Sequence, residues 1–186
     1  MKKPPPGPFS DLYRYVPRGG ETRGLERAAR FIAVALLSHS WHACFLLRLS
    51  QWLWWLRLWP LAWLLRTLLL HCYSLDAPPE VPIGPGLWLP HAQNIVIHRR
   101  SKVGSGVTIL HNVTIGGRDY AGYPTIGNRV FLGVGSSVLG AIHISDGARI
   151  GAHAVVIADV PAGACVVGVP AHSAAGRGSE QGAASL

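Results

Sequence analysis

The stretch "PTIGNRVFLGVGSSVLGAIHISDGARIGAHAVV", Pro124 to Val156, carries an aliphatic residue at every sixth position. The phase stays constant over five intervals, at Ile126, Leu132, Val138, Ile144, Ile150 and Val156. An amphipathic helix repeats every ~3.6 residues and a half-buried strand every ~2, so neither produces this period. A period of six predicts a hexapeptide parallel β-helix, in which three hexapeptides form one triangular coil and their first residues fill the core.

Upstream, the same frame continues with two irregular steps. It takes eight residues from Leu89 to Ile97 and eleven from Ile115 to Ile126, so "GRDYAGYP" is predicted to bulge out as a loop. The coils are headed by Ile83, Val103, Ile126 and Ile144. The predicted fold class is therefore mainly β, a β-helix of about four coils over residues 76–171. The small and polar residues 172–186 are predicted to form a disordered tail.

The N-terminal part differs from the repeat in composition and charge. Residues 1–23 are rich in proline and glycine and are predicted to be a flexible arm, whereas 24–75 form a short Trp- and Arg-rich α-helical segment. Residues 1–75 hold ten Lys or Arg against three acids, while 76–186 hold seven against six. The charge-free run Phe31 to Leu47 has 17 residues, at the lower edge of the ~17–25 that span a bilayer. We expect two or three short helices at a membrane interface, with a helical bundle at an oligomer contact or a single span as alternatives.

The cysteines and the N-terminus indicate the compartment. Cys44, Cys72 and Cys165 are odd in number and lack metal-ligand spacing, which argues against a disulfide scaffold or a zinc finger. The proline-rich N-terminus does not resemble a signal peptide. A cytoplasmic protein is predicted, with the inner face of the membrane as an alternative location. The basic residues lie among Leu and Trp, which argues against a nucleic-acid partner.

The repeat frame also predicts a candidate site. Equivalent positions of successive coils stack ~4.8 Å apart, and one outward-facing column contains His91, His111, Val134 and Ala152. The two imidazoles should be neighbours above a low track of small residues, along which a long thin ligand could lie. Two histidines are too few for zinc, which takes about four ligands, so no metal is expected. Exposed surface histidines, or a metal completed by a neighbouring subunit, remain alternatives, and His98, His143 and His153 are assigned to the surface.

The chain resembles the serine acetyltransferase branch of the hexapeptide-repeat acyltransferases, including short relatives that O-acetylate bacterial exopolysaccharides such as colanic acid. The likeness covers Leu75 to about Ala171, roughly half the chain. It is carried by "LDAPPEVPIGPGLWLPHAQNIVIH", "VTILHNVTIGG", the opening stretch and "DVPAGACVVGVPAH". The resemblance implies a left-handed β-helix and a homotrimer whose active sites lie between adjacent subunits.

The resemblance also implies site residues. His91 matches the catalytic histidine, a general base toward an acceptor hydroxyl that attacks acetyl-CoA, and Asp76 matches the acid that orients it. Gly117, Val134 and Ala152 match the positions that contact coenzyme A. His111 lies beside His91, and we assign it to substrate binding.

The acceptor side departs from the serine branch. That branch carries an acid directly before the catalytic histidine and an Arg-His pair at the end of the loop before the third coil. Here Pro90, Gly122 and Tyr123 occupy these positions, so the charged partners of serine are missing, and Pro90 and Tyr123 are the candidate substrate-binding residues. We therefore expect an O-acetyltransferase acting on a sugar in surface-polysaccharide biosynthesis. Serine O-acetylation for cysteine synthesis is the alternative, and a non-catalytic membrane-associated β-helix module is the rival from another class.

Overall fold

The structure is a computed structural model that describes residues 4–16, 29, 32–34, 36–118 and 122–173. After a 3-10 helix, Leu12–Arg14, come two long helices, α1 (His39–Trp55) and α2 (Trp59–Tyr73). Residues 29, 32–34, 36 and 37 are helical as well. The predicted helical segment is therefore present in the described part of 24–75.

Thirteen short strands follow the helices in the described chain. They are β1 (Leu75–Asp76), β2 (Ile95–Ile97), β3 (Lys102–Val103), β4 (Thr108–Ile109), β5 (Thr114–Gly116), β6 (Thr125–Ile126), β7 (Phe131–Leu132), β8 (Ser137–Leu139), β9 (His143–Ile144), β10 (Arg149–Ile150), β11 (Val155–Val156), β12 (Cys165–Val167) and β13 (His172–Ser173). Sheet 1 has the order β1-β2-β5-β8-β11, sheet 2 β13-β12-β10-β7-β4 and sheet 3 β3-β6-β9. All pairs are parallel except β12 with β13. The architecture is a left-handed parallel β-helix, which confirms the predicted fold class.

The strand register follows the six-residue frame. Val103 pairs with Ile126 and Ile126 with Ile144, and these residues are buried in one hydrophobic core. The bridge from Ile83 to Val103 completes the first coil, so the predicted coil heads are confirmed. A bridge from Ile144 to Val160 adds a partial fifth coil that ends at β12. The six-residue frame does not predict this coil, because the step from Val156 to Val160 is four residues instead of six.

The C-terminal end of the predicted domain differs from the expectation. The predicted tail begins too early, because β13 (His172–Ser173) pairs antiparallel with β12. Residues 174–186 lie outside the described residues. The loop between β5 and β6 lies where the eleven-residue step places it, and residues 119–121 in it lie outside the described residues as well.

The prediction of a flexible arm is wrong for residues 4–16, which cap the first coil. That coil has no coil above it, so its upper edge presents backbone groups that need partners. Asp11 Oδ1 accepts hydrogen bonds from Gly86 N and Leu87 N. Arg48 of α1 donates to the carbonyl oxygens of Ile83 and Gly84, at 2.8 and 2.6 Å. Local composition could not show that this proline-rich segment has an edge to cover.

Asp11 and Arg48 form a buried ion pair at the centre of this cap. Arg48 Nε lies 2.6 Å from Asp11 Oδ2, and neither side chain is exposed. The remaining donors of the guanidinium and the remaining acceptor oxygen are used by the backbone edge and by Gln51, as a buried pair requires. Burial raises the pKa of the neighbouring Cys44 thiol and that of Tyr15 well above their ordinary values, so both groups stay protonated.

The two helices differ in how much of their surface is buried. Side chains of α1 pack on the repeat domain, with Ala43, Cys44 and Leu47 fully buried. In α2 most apolar residues are exposed, including Trp59 at 50% and Leu64 at 55%. No helix in the described ranges has the length and hydrophobicity needed to span a bilayer. Phe31 and Ala35 of the candidate spanning run lie outside those ranges, and Ser38 interrupts the run by capping the N-terminus of α1.

Candidate active site

The predicted column of His91, His111, Val134 and Ala152 is present in the structure. These residues lie at the corner where each coil passes from sheet 2 to sheet 1, which we call the His91 corner (residues 90–94, 110–113, 133–136 and 151–154). The pairings of Trp88 with Thr108, Ile109 with Leu132 and Leu132 with Ile150 place the four residues at equivalent positions of successive coils. The imidazole centroids of His91 and His111 are 5.5 Å apart, with their planes at 84°.

The two histidines have different environments. His91 is exposed, so its ring can meet a substrate from solvent. His111 is partly buried, and its Nδ1 is a buried atom without a hydrogen-bond partner among the described residues. Beside them Asn94 and Asn112 take left-handed φ angles of 53° and 60°, and Asn94 Nδ2 donates to Asn112 Oδ1 at 3.0 Å. These stacked turns fix the spacing of the histidine pair.

Below the histidines the corner is lined by backbone. A Cβ atom on Gly133 would lie 2.8 Å from Ala152 N, so a larger residue has no room between the coils. Gly135 has a φ of +67°, and a Cβ there would collide with the ring of His153. Val134 is partly buried and Ala152 is exposed, so the predicted low track is present next to the histidines.

No hydrogen bond or ion pair joins Asp76 to His91 among the described residues. Both hydrogen bonds to Asp76 Oδ1 come from Arg66 of α2, at 2.6 and 3.1 Å, and none of those described joins the carboxylate to His91. Arg66 also lies over the ring of Trp63. Arg66 therefore competes with His91 for the Asp76 carboxylate. The sequence spacing could not reveal this competition, because Arg66 lies on another element.

Gly117 and Tyr123 lie at a different corner, where the chain passes from sheet 1 to sheet 3. A Cβ on Gly117 would lie 2.9 Å from the ring of Tyr123, so the two residues are in close contact. Gly122 has a φ of +134°, and a Cβ there would lie 2.6 Å from Ala141 Cβ. No larger side chain fits at this position without a shift of the loop. A single chain thus places Tyr123 and Gly117 away from the His91 corner.

His98 is a partner of Tyr123 that the sequence analysis missed. The two rings stack with centroids 4.0 Å apart and planes at 8°, and the Arg100 guanidinium lies 5.6 Å from the centre of the Tyr123 ring. Burial, and then the charges of Arg100 and Arg99, lower the pKa of His98 below its ordinary value. His98 is partly exposed, as a surface position requires, but it has ring and charge partners that the sequence does not reveal. The stacking joins the end of the loop, at Tyr123, to the residue after β2, and no sequence pattern relates these two positions.

Metal ligands are not grouped in the described part of the chain: it contains no cluster of three or more His, Cys, Asp or Glu side chains that could hold an ion. All three cysteines are free, with Cys44 buried and Cys72 exposed. The arrangement at the His91 corner instead offers an exposed imidazole next to a backbone-lined track. This is the chemistry of a proton acceptor beside an extended ligand.

Comparisons with known proteins agree with this architecture. No family model matches the chain. The serine acetyltransferase of Mycobacterium tuberculosis is 42% identical over 132 residues, which cover 69% of this chain and 58% of the relative. That of Helicobacter pylori strain J99 is 40% identical over 141 residues, covering 74% of this chain and 82% of the relative. The chain thus spans little more than half of the first relative and most of the second.

Solved structures give the same family. The soybean serine acetyltransferase complexed with serine matches with a TM-score of 0.77 and 32% identity, over 90% of this chain and 68% of that one. Two further matching serine acetyltransferase structures are complexes with coenzyme A. The likeness to exopolysaccharide O-acetyltransferases that the sequence analysis expected is not supported, because the relatives found are serine acetyltransferases. The chain belongs to the serine acetyltransferase family of hexapeptide-repeat acyltransferases.

Proposed function

We propose that this protein transfers the acetyl group of acetyl-CoA to the hydroxyl of L-serine, with His91 as the general base. The supporting observation is the exposed His91 ring at one end of a backbone-lined track, in a chain whose relatives are serine acetyltransferases. The sequence alone favours a sugar as acceptor, whereas these relatives support L-serine.

The chemistry follows from the position of the His91 imidazole, a side chain that can accept a proton and return it. His91 takes the proton of the acceptor hydroxyl as its oxygen attacks the thioester carbonyl carbon. The tetrahedral intermediate collapses, the carbon–sulfur bond breaks, and the imidazolium returns the proton to the coenzyme A thiolate. Backbone N–H groups near the corner can stabilise the oxyanion. Val134 and Ala152 are proposed to contact the extended coenzyme along the track, and His111 to contact the substrate.

Asp76 is proposed to assist His91 through its second carboxylate oxygen. Its Oδ1 is engaged by Arg66, whereas Oδ2 accepts no hydrogen bond among the described residues. A carboxylate near an imidazole fixes its tautomer and stabilises the imidazolium. This role requires a reorientation toward His91 when substrate binds.

A homotrimer is proposed to complete the site. Gly117 is expected to contact coenzyme A, and Tyr123 and Pro90 to bind the acceptor, all at the site of His91. Gly117 and Tyr123 nevertheless lie at another corner of the triangular β-helix from Pro90 and His91. In a symmetric trimer with parallel β-helices, the corner that carries Tyr123 in one subunit can face the His91 corner of the next. The molar mass of the assembly, measured by light scattering, tests the trimer.

A sugar hydroxyl is the second candidate acceptor, and the chemistry at three positions favours it. Pro90 has no charge to offer an ammonium group, and the contact of Gly122 with Ala141 leaves no room for an arginine. Tyr123 presents an aromatic ring instead, which is stacked on His98. A neutral polyol loses less binding free energy from these changes than a zwitterion does, because a zwitterion needs charged partners.

We further propose that the chain works in the cytoplasm at the inner face of a membrane, with α2 as the contact. The exposed Trp and Leu side chains of this helix support the proposal, as does the excess of Arg over acids in 27–75, which contain five Arg and no Asp or Glu. Exposed Trp and Arg are typical of interfacial helices.

The acceptor is tested with the purified full-length chain and acetyl-CoA. Release of the coenzyme A thiol is followed with L-serine, and separately with a panel of sugars and lipid-linked sugars. We expect turnover with L-serine, and a loss of about 100- to 10,000-fold in kcat on His91→Ala, the range of general-base contributions. The matched control is His143→Ala, an exposed histidine on sheet 3.

The outcomes separate the candidates. Turnover with a sugar and none with L-serine would replace the acceptor while keeping the His91 chemistry. Equal activity of His91→Ala and the unchanged protein would remove His91 from the mechanism. If the protein is folded but releases no thiol with any acceptor tested, the non-catalytic β-helix module would be favoured.

A further inference from the structure

Two side chains from outside the repeat hold the turn that carries His91. We propose that Ser40 and Tyr15 are positioning residues, which fix the His91 turn (residues 89–94) in the geometry that catalysis requires. The inference rests on the proposed role of His91 as general base. It concerns residues that contact the backbone of the turn and not the reacting atoms.

The contacts lie on both sides of His91. Tyr15 Oη accepts a hydrogen bond from Leu89 N at 2.9 Å, and Ser40 Oγ donates to the carbonyl oxygen of Pro90 at 2.7 Å. The Pro90 carbonyl belongs to the peptide group that joins Pro90 to His91, so Ser40 fixes the plane from which His91 projects. Farther along, Asn94 N donates to the carbonyl oxygen of Tyr73 at 3.2 Å.

The His91 turn needs these contacts because it is the first and the longest of the stacked turns at the His91 corner. The step from Leu89 to Ile97 holds two residues more than the regular hexapeptide, and Pro90 has no N–H group. The equivalent turn at His111 is regular, and the His111 carbonyl accepts from Gly135 N of the next coil at 3.0 Å. The His91 carbonyl accepts only a local bond from Gln93 N among the described backbone pairs. The next coil contacts this region only before and after His91, where Ile109 N donates to the carbonyl oxygen of Trp88 and Asn112 N to that of Gln93. Ser40 and Tyr15 therefore hold the stretch between these two points, at Leu89 and Pro90.

The two positioning residues are themselves held firmly. The Tyr15 ring lies edge-on to Trp41, with centroids 5.7 Å apart, and Trp41 is 2% exposed. Ser40 lies in the first turn of α1, whose N-terminus is capped by Ser38. The same helix is joined to the first coil by Arg48. The arrangement therefore links the His91 turn to the rigid core of the cap.

Loosening the turn should affect the chemical step more than binding. A displacement of ~1 Å at a reacting group can cost about 100-fold in rate, because the base must lie within hydrogen-bond reach of the hydroxyl. Coenzyme A is proposed to lie on the lower track formed by Val134 and Ala152, which the cap does not touch. A positioning role therefore predicts a fall in kcat with little change in the KM for acetyl-CoA.

The test uses two pairs of matched variants of the full chain. Ser40→Ala is compared with Ser50→Ala, because Ser50 Oγ makes a bond of the same 2.7 Å length to Leu47 within the same helix. Tyr15→Phe is compared with Tyr13→Phe, whose hydroxyl lies against Gly86 and not against the turn. Ser40→Thr restores the hydroxyl. Hydrogen exchange of the Leu89 and Asn94 amides reports the turn directly.

We expect Ser40→Ala and Tyr15→Phe to lower kcat by about tenfold, with the KM for acetyl-CoA changed by less than about twofold. The amide of Leu89 should exchange faster in both, and Ser40→Thr should recover the rate. Ser50→Ala and Tyr13→Phe should match the unchanged protein.

Two results overturn the inference. If Ser40→Ala and Tyr15→Phe have the kcat of their controls while His91→Ala is inactive, the positioning role is wrong and the proposed function stands. If His91→Ala keeps full activity, both fall. A general loss of folding in Ser40→Ala would appear as faster exchange throughout the core, and Tyr15→Phe then decides the question.

Discussion

His98 shows how one residue of the repeat surface acquires a specific environment from the loop that folds over it. Its ring is stacked on Tyr123, and its Nδ1 accepts a hydrogen bond from Arg100 N at 3.2 Å. Burial is the largest cause of its lowered pKa, followed by the charges of Arg100 and Arg99. Protonation would place a third positive charge in this cluster, so the neutral imidazole is favoured.

The first prediction concerns this pKa. Arg100→Gln should raise the pKa of His98 toward its ordinary value, because it removes the larger of the two charge contributions. NMR titration of the His98 ring protons measures the shift. Arg149→Gln on β10 is the control and should leave the midpoint unchanged.

The effect on stability has a defined sign. A folded-state pKa below the unfolded value means that the folded protein binds fewer protons, so the free energy of unfolding falls as pH drops below about 6.5. Arg100→Gln should weaken this dependence. A steeper dependence in the variant would contradict the assignment.

The cap formed by residues 4–16 and α1 is the element on which the first coil depends. Its buried pair, Asp11 and Arg48, satisfies four backbone groups of the edge. Burial of two charges is costly, and the pair is favourable only while each keeps its partner. The element should therefore be sensitive to the loss of either side chain alone.

Arg48→Met should lower the free energy of unfolding by about 3–5 kcal/mol, because it leaves Asp11 buried without a counter-charge. The double variant Asp11→Asn/Arg48→Met should lose less than the sum of the two single variants, since neither charge then remains. Urea unfolding followed by circular dichroism measures both.

Arg99→Ala is the matched control, since the exposed Arg99 lies 3.7 Å from the partly buried Glu80 in a surface ion pair. Its effect should be below about 1 kcal/mol. Equal losses for Arg48→Met and Arg99→Ala would contradict the importance of the cap.

At the scale of the whole molecule, charge and apolar surface are divided between two parts. The β-helix buries its apolar residues in one continuous core, whereas α2 leaves Trp59, Leu61, Trp63 and Leu64 exposed. Residues 1–75 carry almost all of the formal net charge of +8. An anionic membrane surface would match both properties of the helical part.

The full chain should therefore co-sediment with vesicles that contain anionic lipid, and less with neutral vesicles or at high salt. Trp59→Gln/Leu64→Gln should weaken the binding. The control is Ile157→Gln/Val167→Gln, which changes two exposed apolar residues of the β-helix. Absence of binding to anionic vesicles at low salt would refute the membrane contact.

The amino-acid sequence by itself determined the fold of the repeat domain, because a period of six can be satisfied only when every sixth residue points into one core. The same regularity placed His91 beside His111, since equal coil lengths bring equivalent residues into register. Periodic positions are local and repeated, so each coil supports the assignment of the next.

Only the tertiary structure decided the contacts made by irregular segments. Three contacts join residues that share no period. They are the hydrogen bond of Gly86 N to Asp11, the ion pair of Asp76 with Arg66 and the stacking of His98 on Tyr123. Such contacts depend on where a coil edge or loop finds its partner in space. The acceptor side of the site depends on these segments, whereas the His91 corner depends on the repeat.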